Sequence, residues 1–166
     1  MAMTPNAMAS AIISNIGQSS DPADANNKFY KALCDYVEAN AQVFYAWAAT
    51  NPSGTPDPQV VIQATIKTSG SLSPSGATDC ASALAAFSAT LNANAALWQV
   101  TWPPGFALSP AFVIPTINIT PSMADNQQDA MNAICAQIIA GLKLATPAAS
   151  GSHSAFVGAA TFTSIV

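Results

Sequence analysis

The stretch Asp21-Pro-Ala-Asp-Ala-Asn-Asn-Lys-Phe-Tyr-Lys-Ala-Leu-Cys-Asp-Tyr-Val-Glu-Ala-Asn-Ala-Gln-Val-Phe-Tyr-Ala-Trp47 decides how the rest of the chain is read. Asp21 is a good N-cap, since its short carboxylate can take up a free backbone N–H of the first helical turn. Pro22 suits the first helical position, where its missing N–H costs nothing. Phe29, Leu33, Tyr36, Val37, Phe44 and Trp47 then recur near helical spacing, which predicts one amphipathic helix fading after Ala49 and closed by Asn51-Pro52. Lys28, Lys31, Asp35 and Glu38 give its solvent face its only charge cluster, with Lys31 and Asp35 four apart as a modest local pair.

Three further helical patterns flank this one. Pro5 to Ile16 carries Met8, Ile12 and Ile16 four apart and is stopped by Gly17. A helix beginning at Ala77 or Thr78 and running to Trp98 has the stripe Cys80, Leu84, Phe87, Leu91 and Trp98, and its opposite face is Ala, Ser, Thr and Asn. The fourth is expected to start with Thr120 as N-cap and Pro121 next, with Asp125 and Asp129 near its positive end. Its stripe is Met131, Ile134, Cys135, Ile138 and Leu142, and Pro147 closes it. Between the helices, 59–67 alternates apolar Val60, Ile62, Ala64 and Ile66 with a mixed face, the pattern of a half-buried strand. Pro103, Pro104, Pro110 and Pro115 forbid helix over 101–120, leaving an extended segment at 105–119 suited to a sheet edge. A second extended, uncharged segment spans 154–165. The expected fold is therefore α+β and predominantly helical: one domain over 1–166, about four helices, one short strand, and extended Pro-rich and C-terminal segments that pair within the chain or add to a neighbour's sheet. Residues 148–166 read as a possible assembly tail.

Composition narrows function by exclusion. The 166 residues hold 8 acids, 4 lysines and a single histidine, for a net charge of −4; 7% are charged and mean hydropathy is +0.32. An ordinary soluble domain is roughly 25% charged. Four scattered lysines and no arginine argue against nucleic-acid binding, which displaces counterions with several cations, and against a polybasic membrane anchor. No apolar run reaches the ~18 residues of a membrane span, and the first residues carry no basic region of a secretory signal. Cys34, Cys80 and Cys135 are widely spaced, with no CxxC or Cys/His cluster, so no zinc site is expected. Each is read as a buried free thiol on or beside a helical stripe, with a disulfide between helices or subunits as the alternative.

No catalytic constellation stands out. His153, in Ser-Gly-Ser-His-Ser, lacks the rigid, separated partners a triad needs. Asp21/Asp24 and Asp125/Asp129 are explained by helix dipoles, and Asp35/Glu38 by a solvated face. No cofactor, metal or small-molecule substrate is expected. Trp98, Trp102 and Phe106 surround Pro103-Pro104-Gly105, either as a plug over the core or as an anchor at a subunit interface. With so few charges, much of the exterior must be neutral, as the cores of protein interfaces are. The simplest cover is a partner chain. Trp98, Trp102, Phe106, Phe156, Phe162 and Ile165 are the expected contact residues.

The charge-poor Ala/Ser/Thr/Asn helix from Ala77 to Trp98, the Pro-rich connectors and the terminus Gly158-Ala-Ala-Thr-Phe-Thr-Ser-Ile-Val166 resemble small structural proteins of bacteriophage virions, especially tail and baseplate components. The resemblance is one of style and carries over no functional residue. It implies a non-enzymatic assembly subunit, built in the host cytoplasm, whose partners are copies of itself and other virion proteins. A secreted or surface-exposed adhesin-like binding module is the alternative. A small hydrolase using His153 is a third reading.

Overall fold

In the computed structural model the chain is described over residues 2–17, 19, 21–47, 60–71, 79–104, 106–111, 116–121, 123–145, 148–153 and 160–166. The elements run α1 (Pro5–Ile16), α2 (Pro22–Asn40), β1 (Gln42–Trp47), β2 (Val60–Lys67), α3 (Cys80–Ala95), β3 (Gln99–Thr101), β4 (Phe106–Ala111), α4 (Gln127–Lys143), β5 (Ala148–His153) and β6 (Ala160–Ile165). The class is α+β. Four antiparallel strands form one sheet in the order β3-β2-β1-β6, and β4 pairs with β5 in a second.

The decisive stretch splits in two. Asp21 caps α2 by accepting the Asp24 N–H at 2.9 Å, with Pro22 inside the first turn. The helix ends at Asn40, however, and Ala41 is already extended at φ −70, ψ 130. Val37, Phe44 and Trp47 keep helical spacing by coincidence. Gln42 to Trp47 is instead a Val/Phe/Tyr/Trp run suited to a pleated surface, and the Asn40 side chain donates to the Tyr36 carbonyl over the last turn at 2.9 Å. Along β1, Val43 and Tyr45 are fully buried and alternate with half-buried Phe44 and Ala46. The same face receives Ala64 and Ile66 from β2, Val100 from β3 and Ile165 from β6.

Helices α1, α2 and α4 pack together and supply the rest of the core: Met8 and Ile12, then Leu33 and Val37, then Cys135, Ile138 and Leu142. The Tyr36 hydroxyl ties α2 to the start of α1, accepting the Thr4 N–H at 2.9 Å and donating to the Thr4 carbonyl at 3.2 Å.

Several expectations are corrected. Among the described residues six strands form, where one strand and two extended segments were expected. Of the two pairings left open for the extended segments, the described residues show the one within the chain: β5 pairs with β4, and β6 with β1 in the main sheet. Helix α4 does not start at Thr120. Asn126 caps it, accepting the Asp129 N–H at 2.9 Å and donating to the Asp129 carboxylate at 2.7 Å, while Thr120 lies outside the helix. Helix α3 is capped by Asp79 and closes at Ala95, so Trp98 lies in the turn leading to β3. Cys34 and Cys135 are buried free thiols, whereas Cys80, at the exposed start of α3, is not buried.

Candidate functional site

Between Asp79 and Asp125 the sequence contains no ionisable acid or base of the Asp, Glu, Lys, Arg or His type. The fold gathers part of this stretch into one surface, made by α3 and the extended segment 116–120. Leu84, Phe87, Leu91 and Ala95 face inward, and Phe87 meets Phe29 of α2 edge-on with ring centroids 4.7 Å apart. Ala81, Ser82, Ala85, Ala89, Ala93 and Ala96 are exposed on the other side. This face forms because alanine is the best helix former even where nothing covers it.

Segment 116–120 lies outside every helix and strand, and its residues alternate exposed and buried. Side chains of the two neighbouring helices replace a β partner. The Asn92 amide of α3 accepts the Ile117 N–H at 2.9 Å and donates to the Ile117 carbonyl at 3.1 Å. The Ser88 hydroxyl accepts the Ile119 N–H at 3.0 Å while donating to the Leu84 carbonyl at 2.9 Å. From α4, the Gln137 amide accepts the Thr120 N–H at 2.9 Å and donates to its carbonyl at 3.2 Å. Ile117 and Ile119 are buried below, while Thr116, Asn118 and Thr120 face outward. Close approach requires Gly141: a Cβ there would lie 2.5 Å from Ile117 Cγ1.

Beside this strap runs a groove of about 400 Å³, lined by Ala85, Ser88, Ala89, Asn92, Thr116, Asn118 and Ile119. It is uncharged, mostly apolar and edged by amide and hydroxyl groups. The chemistry it offers is shape and neutral hydrogen bonding; its lining contains neither a nucleophile–base pair nor a carboxylate. Among the described residues, no group of three His, Cys, Asp or Glu side chains is placed to hold a metal ion. Likewise no helix is long and apolar enough to cross a membrane.

The ionised groups lie elsewhere. Lys28 pairs with Asp24 at 2.8 Å and Lys31 with Asp35 at 2.5 Å along α2. Glu38 is not simply a solvated partner of Asp35. It accepts the Thr68 N–H at 2.9 Å and the Thr68 hydroxyl at 2.5 Å, and pairs with Lys67 at 3.0 Å. Partial burial raises its pKa, but the Thr68 and Lys67 contacts outweigh that and hold it below the ordinary glutamate value. Burial pushes the Cys135 thiol and the Tyr45 hydroxyl up to about 12 each.

The expected contact residues are dispersed. Trp98 is 1% exposed, its indole N–H donating to the Ser69 carbonyl at 3.1 Å, so it is a core residue of its own chain. Ile165 is 3% exposed and belongs to the same core. Both are corrected: their side chains are already covered and offer no surface to a partner. Trp102 is half-buried against Tyr45, ring centroids 4.4 Å apart, the plug reading of the Trp-Pro segment. Phe106 lies opposite His153 in the β4–β5 ladder and Phe162 opposite Tyr45 in the β6–β1 ladder. Phe156 falls outside the described residues. Among the residues whose exposure is described, the large apolar side chains most exposed are others: Leu97 at 61%, Leu144 at 70% and Met123 at 102%. Neither these three nor the strap carried a motif; the one available signal was the uncharged run itself.

No known protein family, curated protein or solved structure matches this chain.

Proposed function

We propose that this chain is a non-enzymatic structural subunit of a bacteriophage particle, in its tail or baseplate, working through extensive contact with copies of itself and other virion proteins. The observation that carries the proposal is the uncharged exterior of α3 and the 116–120 strap, with Ala85 and Ala89 open beside a neutral groove. Interface cores are depleted of charge in this way. Exposed Leu97, Met123 and Leu144 add apolar area that a covering chain would remove from water. The charge-poor helix and proline-broken extended segments, in the style of virion proteins, favour a particle as the assembly. Contact centres on α3 and the strap, in place of Trp98 and Ile165.

Density-gradient separation of intact particles, followed by mass spectrometry of the bands, tests the assignment. The chain should band with virions at a fixed stoichiometry. Recovery only in the unassembled fraction would overturn the assignment.

A further inference from the structure

Cys34 lies on α2 one turn before Glu38 and is 9% exposed; burial raises its thiol's pKa, and the nearby Thr68 and Tyr30 hydroxyls partly offset that. Thr68, itself 9% exposed, is tied to this turn of α2 by the Glu38 carboxylate, which takes both its backbone N–H and its hydroxyl and also the ammonium of Lys67. Among the described residues this is the only ion pair that joins two elements; the other two are local to α2. The next residues are held by groups that do not titrate in acid. The Tyr30 hydroxyl and the Trp98 indole donate to the Ser69 carbonyl at 2.7 and 3.1 Å, and Asn94 donates to the Ser71 carbonyl at 2.7 Å.

We propose that the Glu38–Thr68–Lys67 contact is an acid-weakened latch, which on protonation of the Glu38 carboxyl lets the Lys67–Thr68 end of β2 lift from α2 and uncovers Cys34 while the rest of the core stays closed. A neutral carboxyl no longer attracts Lys67 and accepts the two Thr68 hydrogen bonds far more weakly, because charge-assisted bonds are about twice as strong as neutral ones. The titratable neighbours are few. On α2, Tyr30, Lys31, Cys34 and Asp35 act on this region, and β2 contributes Lys67; the ionisable side chain of β1, Tyr45, is pushed up to about 12 by burial and stays neutral in acid. Glu38 sits below its ordinary value of 4.5, so the latch stays closed at neutral pH and weakens only in acid.

The three cysteines make the test internal to the native chain. Cys80 is exposed and Cys135 fully buried. Dithiodipyridine is applied to the full chain from neutral pH downward, and each thiol's labelling is followed by peptide mass. The Cys80 rate corrects for the general slowing of thiol reactivity in acid, and Cys135 reports global unfolding. The Cys34-to-Cys80 ratio should rise about tenfold as pH falls through the Glu38 range, the factor one charge-assisted hydrogen bond is worth, with Cys135 still protected. In Glu38→Gln the ratio should already be raised at neutral pH and stay flat. A flat ratio in the native chain, parallel labelling of Cys34 and Cys135, or an undiminished acid rise in Glu38→Gln would each overturn the latch.

Discussion

Replacing Gly141 with alanine sets two effects of opposite sign against each other. In a helix interior, Gly→Ala gains up to about 1 kcal/mol of propensity. Here the new Cβ would fall 2.5 Å from Cγ1 and 3.0 Å from Cδ1 of Ile117. Cγ1 is not the free end of a flexible side chain, and Ile117 is only 3% exposed, so the strap must shift. Overpacking of this kind costs about 1–3 kcal/mol, and the strain is passed to the two Asn92–Ile117 hydrogen bonds. The expected result is that Gly141→Ala destabilises the native chain by about 1 kcal/mol, the surplus of overpacking over propensity. With Ile117→Ala already in place, the same change should stabilise, because the clash is gone and the propensity gain remains. Urea unfolding of the two single variants and the double variant measures this, read as midpoint shifts at unchanged slope. If Gly141→Ala stabilises both backgrounds equally, the strap does not pack on α4, and the groove beside it does not exist as described.

Asn92→Ala should cost about 1–3 kcal/mol, the penalty for leaving the Ile117 backbone groups without their partner, and should be non-additive with Gln137→Ala because both hold one segment; thermal or urea unfolding reports it. Asp79 caps α3 by accepting the Ser82 N–H and hydroxyl, and these bonds hold its pKa below the ordinary aspartate value. Its stabilisation is therefore complete above that value and is lost as pH falls through the folded one. Asp79→Asn should keep the cap but remove this share of the acid sensitivity, as seen in melting temperatures across the acid range. Ala89→Glu, on the exposed side of α3, should leave helix content by circular dichroism unchanged and shift assemblies toward the single chain; unchanged assembly would place the contact elsewhere.

Much of the scaffold was legible because local chemistry acted alone. Asp21-Pro22 opens α2 and Pro5 to Ile16 bounds α1 as the residue types dictate. The error at β1 has a definite cause: Val37, Phe44 and Trp47 satisfy a 3.6-residue period, while Val43 and Tyr45 satisfy a period of two, and only the sheet partners β2 and β6 decide between them. The start of α4 was misplaced because Thr120-Pro121 has the chemistry of a helix start, but Gln137 captures Thr120 first. Glu38 looked solvated because its partner Thr68 lies thirty residues away. The neutral surface could be inferred from composition, though its location could not. Trp98 and Ile165 are the kind of residue that anchors an interface, and the fold used both for its own core.

So neutral an exterior calls for cover by other chains. Sedimentation velocity of the purified full chain over a concentration series tests this most directly. An assembly of several copies persisting at micromolar concentration is expected, and a single monodisperse 16.9 kDa species throughout would contradict it.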